Sequence, residues 1–237
     1  MELIALTGIG EIQPGDDLAH TLAGALAPIR ADGPRLQKGD VVVVTQKVVS
    51  KAEGRLVPID HDDPAAKIAL IEQESVRIVR RRGDLIISET SHGFICANAG
   101  IDLSNVAAGT AALLPVDADR SARRIRSGLR ALFDLEVGVV ISDTFGRTWR
   151  RGVTDVAIGC AGVAAVVDLR GTPDANGREL VATEVCVADE LASAAELVMG
   201  KDRGIPAALV RGVPEGWLRT ASVRAEIVRT PGEDLFR

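Results

Sequence analysis

VGVVISDTFGRTWRRGVTDVAIGCAGV, residues Val137 to Val163, decides how this chain is read. It opens on an apolar, β-branched run, Val137 to Ile141, short enough for a buried strand, and closes on small residues from Gly159 to Gly162. Between them lies a stretch read as a polar loop, with Asp143, Thr144, Arg147, Thr148, Arg150, Arg151, Thr154 and Asp155 flanked by Gly146 and Gly152. A core has no use for that chemistry. Loops at strand ends are where ligands are commonly met, because a rigid scaffold holds their side chains toward solvent.

Outward from this stretch, strands and helices mix without a strict βαβ alternation. Glu2 to Thr7 reads as a strand, followed by the Gly/Pro loop GIGEIQPGDD, after which Asp16 or Asp17 caps a helix with apolar residues at Leu18, Leu22, Leu26 and Ile29. The loop is no dinucleotide fingerprint, since Gln13 stands where the third glycine would be needed. Gly39 and Asp40 turn the chain into a four-valine strand with a polar, basic continuation from Thr45 to Arg55. Asp63 and Pro64 open a second helix carrying Ile68, Ile71, Ile78 and Val79 and closing at Gly83. Strands are expected at Leu85 to Ser88 and Gly93 to Ala97, then a loop with Asn98, Asp102, Ser104 and Asn105, then a third helix capped by Asp119 with Ile125, Leu129 and Leu132 on one face. After Val163 come a turn at Pro173 to Gly177, a helix over Val185 to Met199 stopped by Gly200, and a strand at Ala207 to Val210. The pattern predicts an α+β fold with mixed or antiparallel sheets and packed helices, a single domain over residues 1–237 of one or two lobes.

Composition narrows the function classes. Apolar residues make up 46% and charged residues 26%, which places the chain among folded globular proteins and away from disorder. The net charge of −5 gives no general field for nucleic acid or anionic membrane, so any anion site must be local. With no Tyr and two Trp, base-stacking platforms are not expected. Only five of the 28 basic residues are lysines, so Lys47 and Lys51, four apart in one segment, carry information. Cys96, Cys160 and Cys186 read as buried thiols, and with neither a secretory signal nor an 18-residue apolar run the expected home is a reducing cytoplasm.

Four polar segments follow strands: Gly8 to Asp17, Thr45 to Arg55, Asn98 to Asn105 and Asp143 to Asp155. Hard divalent cations want oxygen ligands, Mg²⁺ typically one or two carboxylates with phosphate and water. Asp102 and Asp143 are the best placed pair, Thr144 adds a hydroxyl, and Lys51 and the arginines can neutralise phosphate. Bland readings stand beside these: an Asp after a strand is often a turn or capping residue, and an isolated Lys is usually solvated. His20 and His61 read as surface residues and His92 as structural. There is no Walker A motif, because Gly200-Lys201 is followed by Asp202.

GDVVVVTQKVVSKAEGRLV, GIDLSNV, ISDTFGRTWRRGVTDVAIGCAG and ATEVCVADELASAAELVMGK, in this order and spacing, resemble the coenzyme F-420-0:L-glutamate ligase (gamma-glutamyl ligase) family, including the N-terminal ligase domain of the actinobacterial two-domain enzymes. The resemblance covers nearly the whole chain and implies a non-P-loop fold, an intertwined two-lobed homodimer, and GTP with Mg²⁺ or Mn²⁺. It implies transfer of L-glutamate to the lactyl carboxylate of the deazaflavin precursor, then further γ-linked glutamates, through an acyl phosphate. By the same resemblance Asp102 and Asp143 hold one cation and Thr144 a second, while Ile9, Gly10, Glu11, Ile12, Gln46, Lys51 and Asn105 contact the nucleotide. Asp143 and Arg147 are the candidate catalytic residues, and Arg147, Arg150 and Arg151 are candidates for substrate phosphates or carboxylates, an assignment from charge and position. Two departures stand out. Gln46 falls where a Ser often binds nucleotide, and Lys201 falls where some members use a Gln near the second metal; a charged Lys is no ligand, so either that geometry differs or the ammonium replaces the ion. The sequence to Arg237 shows no counterpart of the flavin-binding domain of the two-domain members, so reductive steps on the deazaflavin are not expected of it. A metal-dependent phosphohydrolase and a non-catalytic nucleotide-binding sensor remain the alternatives.

Overall fold

The computed structural model describes residues 1–235. Along the chain run β1 (Glu2–Leu6), α1 (Leu18–Ala23), β2 (Val41–Thr45), α2 (Gln46–Ala52), β3 (Leu56–Pro58), α3 (Pro64–Gln73), β4 (Ser75–Arg82), β5 (Leu85–Thr90) and β6 (Ile95–Ala97). They are followed by β7 (Thr110–Ala112), α4 (Ala118–Phe133), β8 (Gly138–Arg147), β9 (Arg150–Ala161), β10 (Val167–Asp168), β11 (Glu184–Val185), α5 (Val187–Met199), β12 (Ala207–Arg211) and α6 (Val223–Glu226).

A mixed five-stranded sheet in the order β1-β12-β2-β8-β9 forms the centre. Its neighbours are antiparallel except β2 and β8, which run parallel with Val41 opposite Gly138 and Thr45 opposite Ser142. The continuous valines of β2 follow from burial on both faces, since alternate side chains enter opposite layers. Val42 and Val44 join Val139, Ile141 and Leu209 in one core with Leu22 of α1 and Ile125 and Leu129 of α4. Val41 and Val43 join Val140 and Val210 in the other, beneath Leu191, Ala195 and Met199 of α5. A third, smaller cluster of Ile71, Ile86 and Ala99 lies with the separate β4-β5-β6 sheet. The α+β class with mixed and antiparallel sheets is therefore as expected, and no helix among the described residues is long and apolar enough to cross a membrane.

Several local expectations are corrected. Residues 143–155 are no loop: β8 and β9 continue as a hairpin out of the sheet, paired from Val139 with Ala161 to Arg147 with Arg150. The alternation of Thr, Val and Phe through the polar residues suits a strand, and the turn falls at Thr148 and Trp149, the latter at φ 60°, instead of at Gly146 or Gly152. Thr45 to Arg55 coils into α2 before β3. The helix opened by Pro64 stops at Gln73, and Ile78 and Val79 belong to β4, whose β-branched residues and the Gly83 turn favour a hairpin with β5. The first helix ends at Ala23, leaving Leu26 buried but Ile29 61% exposed.

Asp17 does cap α1, accepting from the Ala19 and His20 N–H groups. Asp119 does not cap α4; Asp117 does, accepting from the Arg120 N–H. Asp119 is instead buried and accepts from the backbone N–H groups of Cys160, Val223 and Arg224, which ties α4 to β9 and α6. The close approach that permits this needs Gly159, where a Cβ would stand 2.4 Å from the Ala118 carbonyl carbon.

Candidate active site

The C-terminal ends of β2 and β8 lie side by side, then part. β2 turns at Thr45 into α2, while β8 continues into the hairpin after a register shift between Ile141 and Ser142. Two parallel strands that diverge leave a crevice at their carboxyl ends, and here it is a cleft of about 750 Å³. Its walls come from the loop after β1, from α2, from the loop before β7, and from the end of α5.

Asp143 and Thr144 enter from β8. Asp143 is half-buried and accepts the Thr144 backbone N–H at 2.8 Å. Burial pushes its carboxyl up to about 7, with the charges of Asp102 and Asp155 adding to the effect and the Thr144 N–H and Lys47 opposing it. Asp102 arrives from the third polar segment, held in place by reciprocal backbone hydrogen bonds with Ala112. Its Oδ1 accepts from the Ser104 N–H and hydroxyl, and its Oδ2 pairs with Lys47 Nζ at 2.7 Å. Asp155 lies opposite Thr144 on β9, 1% exposed, and accepts from the hydroxyls of Thr144 (2.8 Å) and Ser142 (3.1 Å) and from Lys201.

The wall formed by α2 and the loop after β1 is basic. Lys51, on the last turn of α2, forms an ion pair with Glu11 of the Ile9 to Ile12 loop, so an incoming phosphate would compete with Glu11 for the ammonium. Gln46 is buried, its amide N–H groups donating to Leu113 O (3.0 Å) and Ser50 Oγ (2.6 Å) while Oε1 has no partner among the described residues. Oriented this way it has a buried acceptor left over and no amide N–H free for a phosphate oxygen. Asn105, at φ 53°, lines the same cleft.

Asp102, Asp143, Thr144, Gln46, Lys51, Asn105 and the Ile9 to Ile12 loop thus share one cleft although they come from distant parts of the sequence. Arg147, Arg150 and Arg151 do not line it; they are exposed toward the hairpin tip, where Arg147 Nη2 donates to the Arg151 carbonyl at 3.2 Å. Four further residues of the cleft were given no role from the sequence: Lys47, Asp155, Glu196 and Ser142. Lys47 was within reach, because it lies one helical turn from Lys51, but its segment read as a loop. Asp155 needed the hairpin register.

Among the described residues no three His, Cys, Asp or Glu side chains form a ready-made metal-ligand set. The donor chemistry nevertheless suits a single hard cation bound together with ligand oxygens and water. A carboxylate desolvated beside two others, with its ionised form disfavoured, gains most from a divalent charge. Asp143 and Asp102 are the residues that would hold it.

Comparison with known proteins gives one consistent answer. Residues 8–212 match the family described as F420-0:Gamma-glutamyl ligase. The chain is 41% identical over all its length to the coenzyme F420:L-glutamate ligase of Methanothermobacter thermautotrophicus, covering 99% of that protein. It is 43% identical over 96% of its length to the enzyme of the same name from Methanopyrus kandleri, covering 94% of it, and 39% identical over 85% to that of Methanocaldococcus jannaschii, covering 86%.

Proposed function

Because the chain belongs to the F420-0:gamma-glutamyl ligase family, we propose that it is an amide-forming ligase that joins L-glutamate to the lactyl carboxylate of the deazaflavin precursor F-420-0 and extends it with γ-linked glutamates. GTP drives the reaction with Mg²⁺ or Mn²⁺, and the working unit is a homodimer. The observation that carries this reading is the one cleft lined together by Asp102, Asp143, Lys51 and the Ile9 to Ile12 loop.

A carboxylate does not condense with an amine unaided, so its oxygen must first become part of a leaving group. In the proposed sequence the substrate carboxylate attacks the γ-phosphorus of GTP, GDP departs, and the acyl phosphate is opened by the glutamate amine with release of phosphate. Two anions have to meet in the first step, and the cleft answers that need with charge and position. Lys51 exchanges Glu11 for phosphate oxygens, and Asn105 and the Ile9 to Ile12 loop hold the nucleotide against α2. Asp102 and Asp143 would hold the divalent ion, which when bound supplies positive charge to the phosphate oxygens. Arg147, Arg150 and Arg151 lie on the hairpin outside the cleft, and their guanidinium groups suit by charge the phosphodiester of the precursor or the carboxylates of glutamate.

The test is incubation with F-420-0, L-glutamate, GTP and Mn²⁺, followed by mass spectrometry. Products heavier by one or more glutamyl units, with GDP and phosphate formed in step, are expected. Phosphate release that needs no glutamate would favour a phosphohydrolase, and tight GTP binding without any product would favour a sensor.

A further inference from the structure

The cleft carries a cation beside Thr144, the ammonium of Lys201. Lys201 follows α5 directly after Gly200, whose φ of 65° lets the chain reverse there. Its ammonium donates to Thr144 Oγ1 at 2.6 Å and to Asp155 Oδ1, and lies 3.7 Å from Glu196 Oε1. The Thr144 hydroxyl donates to Asp155 in its turn, so the lone pair it has left faces the ammonium. Asp155 is buried, and a buried carboxylate needs a countercharge; Lys201 is that charge.

Asp102 pairs with Lys47, but that ammonium also donates to Ser104 Oγ at 3.0 Å and keeps this partner when an ion takes its place on Asp102. Asp143 differs from both. Among the described residues no ammonium or guanidinium pairs with it, and its carboxylate takes the Thr144 N–H. Five carboxylates line the cleft against three ammoniums, so its charge is on balance negative, and Asp143 is the carboxylate that none of the three ammoniums pairs with. A second divalent ion on Thr144 and Asp155 would have to share their oxygens with an ammonium already seated on them, and like charges exclude each other at that separation.

We infer that the Lys201 ammonium, seated on Thr144 and Asp155, is a tethered second cation, so that the cleft takes one divalent ion, at Asp143 and Asp102, instead of two. The use of that ion rests on the ligase reading; its number rests on the side chains alone. Part of the positive charge beside the phosphates then cannot dissociate, and metal dependence follows a single site.

Bound Mn²⁺ is counted on the full chain by electron paramagnetic resonance of the free ion, with the metal alone and with a non-hydrolysable GTP analogue added. Wild type and Lys201→Arg should each bind one Mn²⁺ per chain, and Lys201→Gln two in the nucleotide arm. Lys201 is about half exposed, so these variants are expected to fold. Two ions in wild type, or one in Lys201→Gln in both arms, overturns the inference. Counts of one and two, with the metal sites indifferent to the analogue and no analogue bound, uphold the inference while removing the GTP reading. Two ions in wild type whose binding the analogue tightens do the reverse, and no bound ion in any arm overturns both.

Discussion

Asp143→Asn should make the metal-free protein more stable and blind to metal. The amide keeps the shape of the side chain and an acceptor for the Thr144 N–H, and removes the charge. In the native chain burial and two neighbouring aspartates lift the carboxyl from 3.8 to about 7. A carboxyl raised on folding destabilises the native state once ionised. The native protein holds a proton that the unfolded chain has released, so stability falls as pH rises from about 4 to about 7, and the penalty is complete above that. At 1.36 kcal/mol per pH unit the penalty at pH 8 is at most about 4 kcal/mol, and water entering the open cleft reduces it to about 2 kcal/mol. For a chain of this size Asp143→Asn should then raise the Tm in EDTA by about 4–8 °C at pH 8 and by distinctly less at pH 5. Mn²⁺ at a hundred times its Kd should stabilise wild type by about 2.7 kcal/mol and leave the variant unmoved. Calorimetry at both pH values, with EDTA or Mn²⁺, measures all four states. A variant no more stable than wild type at pH 8 in EDTA, or stabilised equally by Mn²⁺, would refute the account of Asp143.

Lys51→Ala should weaken a GTP analogue by about tenfold or more, the worth of one charge-assisted contact, with little change in Tm; calorimetric titration decides it, and unchanged affinity removes Lys51 from the nucleotide site. Asp119→Ala leaves three backbone N–H groups of Cys160, Val223 and Arg224 without their acceptor and should cost about 3–5 kcal/mol in urea unfolding, with Asp119→Asn less damaging. A wild-type midpoint for Asp119→Ala would mean that these groups find other partners. Burial pushes the thiols of Cys96, Cys160 and Cys186 up to about 12. At pH 8 about one in 10⁴ of each is thiolate, so a disulfide reagent should label the native protein far more slowly than the urea-unfolded chain; Cys186 is only half-buried, not fully buried as the sequence suggested, and rapid native labelling of Cys96 or Cys160 would contradict their burial.

The class of fold and the two-sided core were legible in the sequence because strong local patterns and tertiary burial agree there. The valines of β2 and the helical stripes of α4 and α5 leave little choice. Legibility failed where one local pattern served two structures. Ile68, Ile71, Ile78 and Val79 fit a single long helix until the pairing of β4 with β5 claims the last two. Asp119 sits where a cap would sit, yet the Asp two residues earlier has that role, and only the contacts across to Cys160 and Val223 reveal what Asp119 does. The same holds in the cleft. Asp102 and Asp143 could be proposed from residue type and position after strands, whereas Asp155 becomes visible only when the hairpin register sets it opposite Thr144. Lys201 meets it, with Glu196 beside the ammonium, through the packing of α5 beneath the sheet, a relation between elements that no spacing along the chain encodes.

The parallel pairing of β2 with β8 also makes the cleft a proofreader of the fold. Gln46 and Asp143 each stand one residue beyond the matched pair of Thr45 and Ser142. A slip of one position between these strands would reverse every inward side chain of one of them and separate the two walls in the same act. Misregistered molecules could retain their helices and look native by circular dichroism, yet have nowhere to seat a ligand. The fraction of chains that bind would therefore count correctly zipped sheets, a quantity that spectroscopy of secondary structure does not supply.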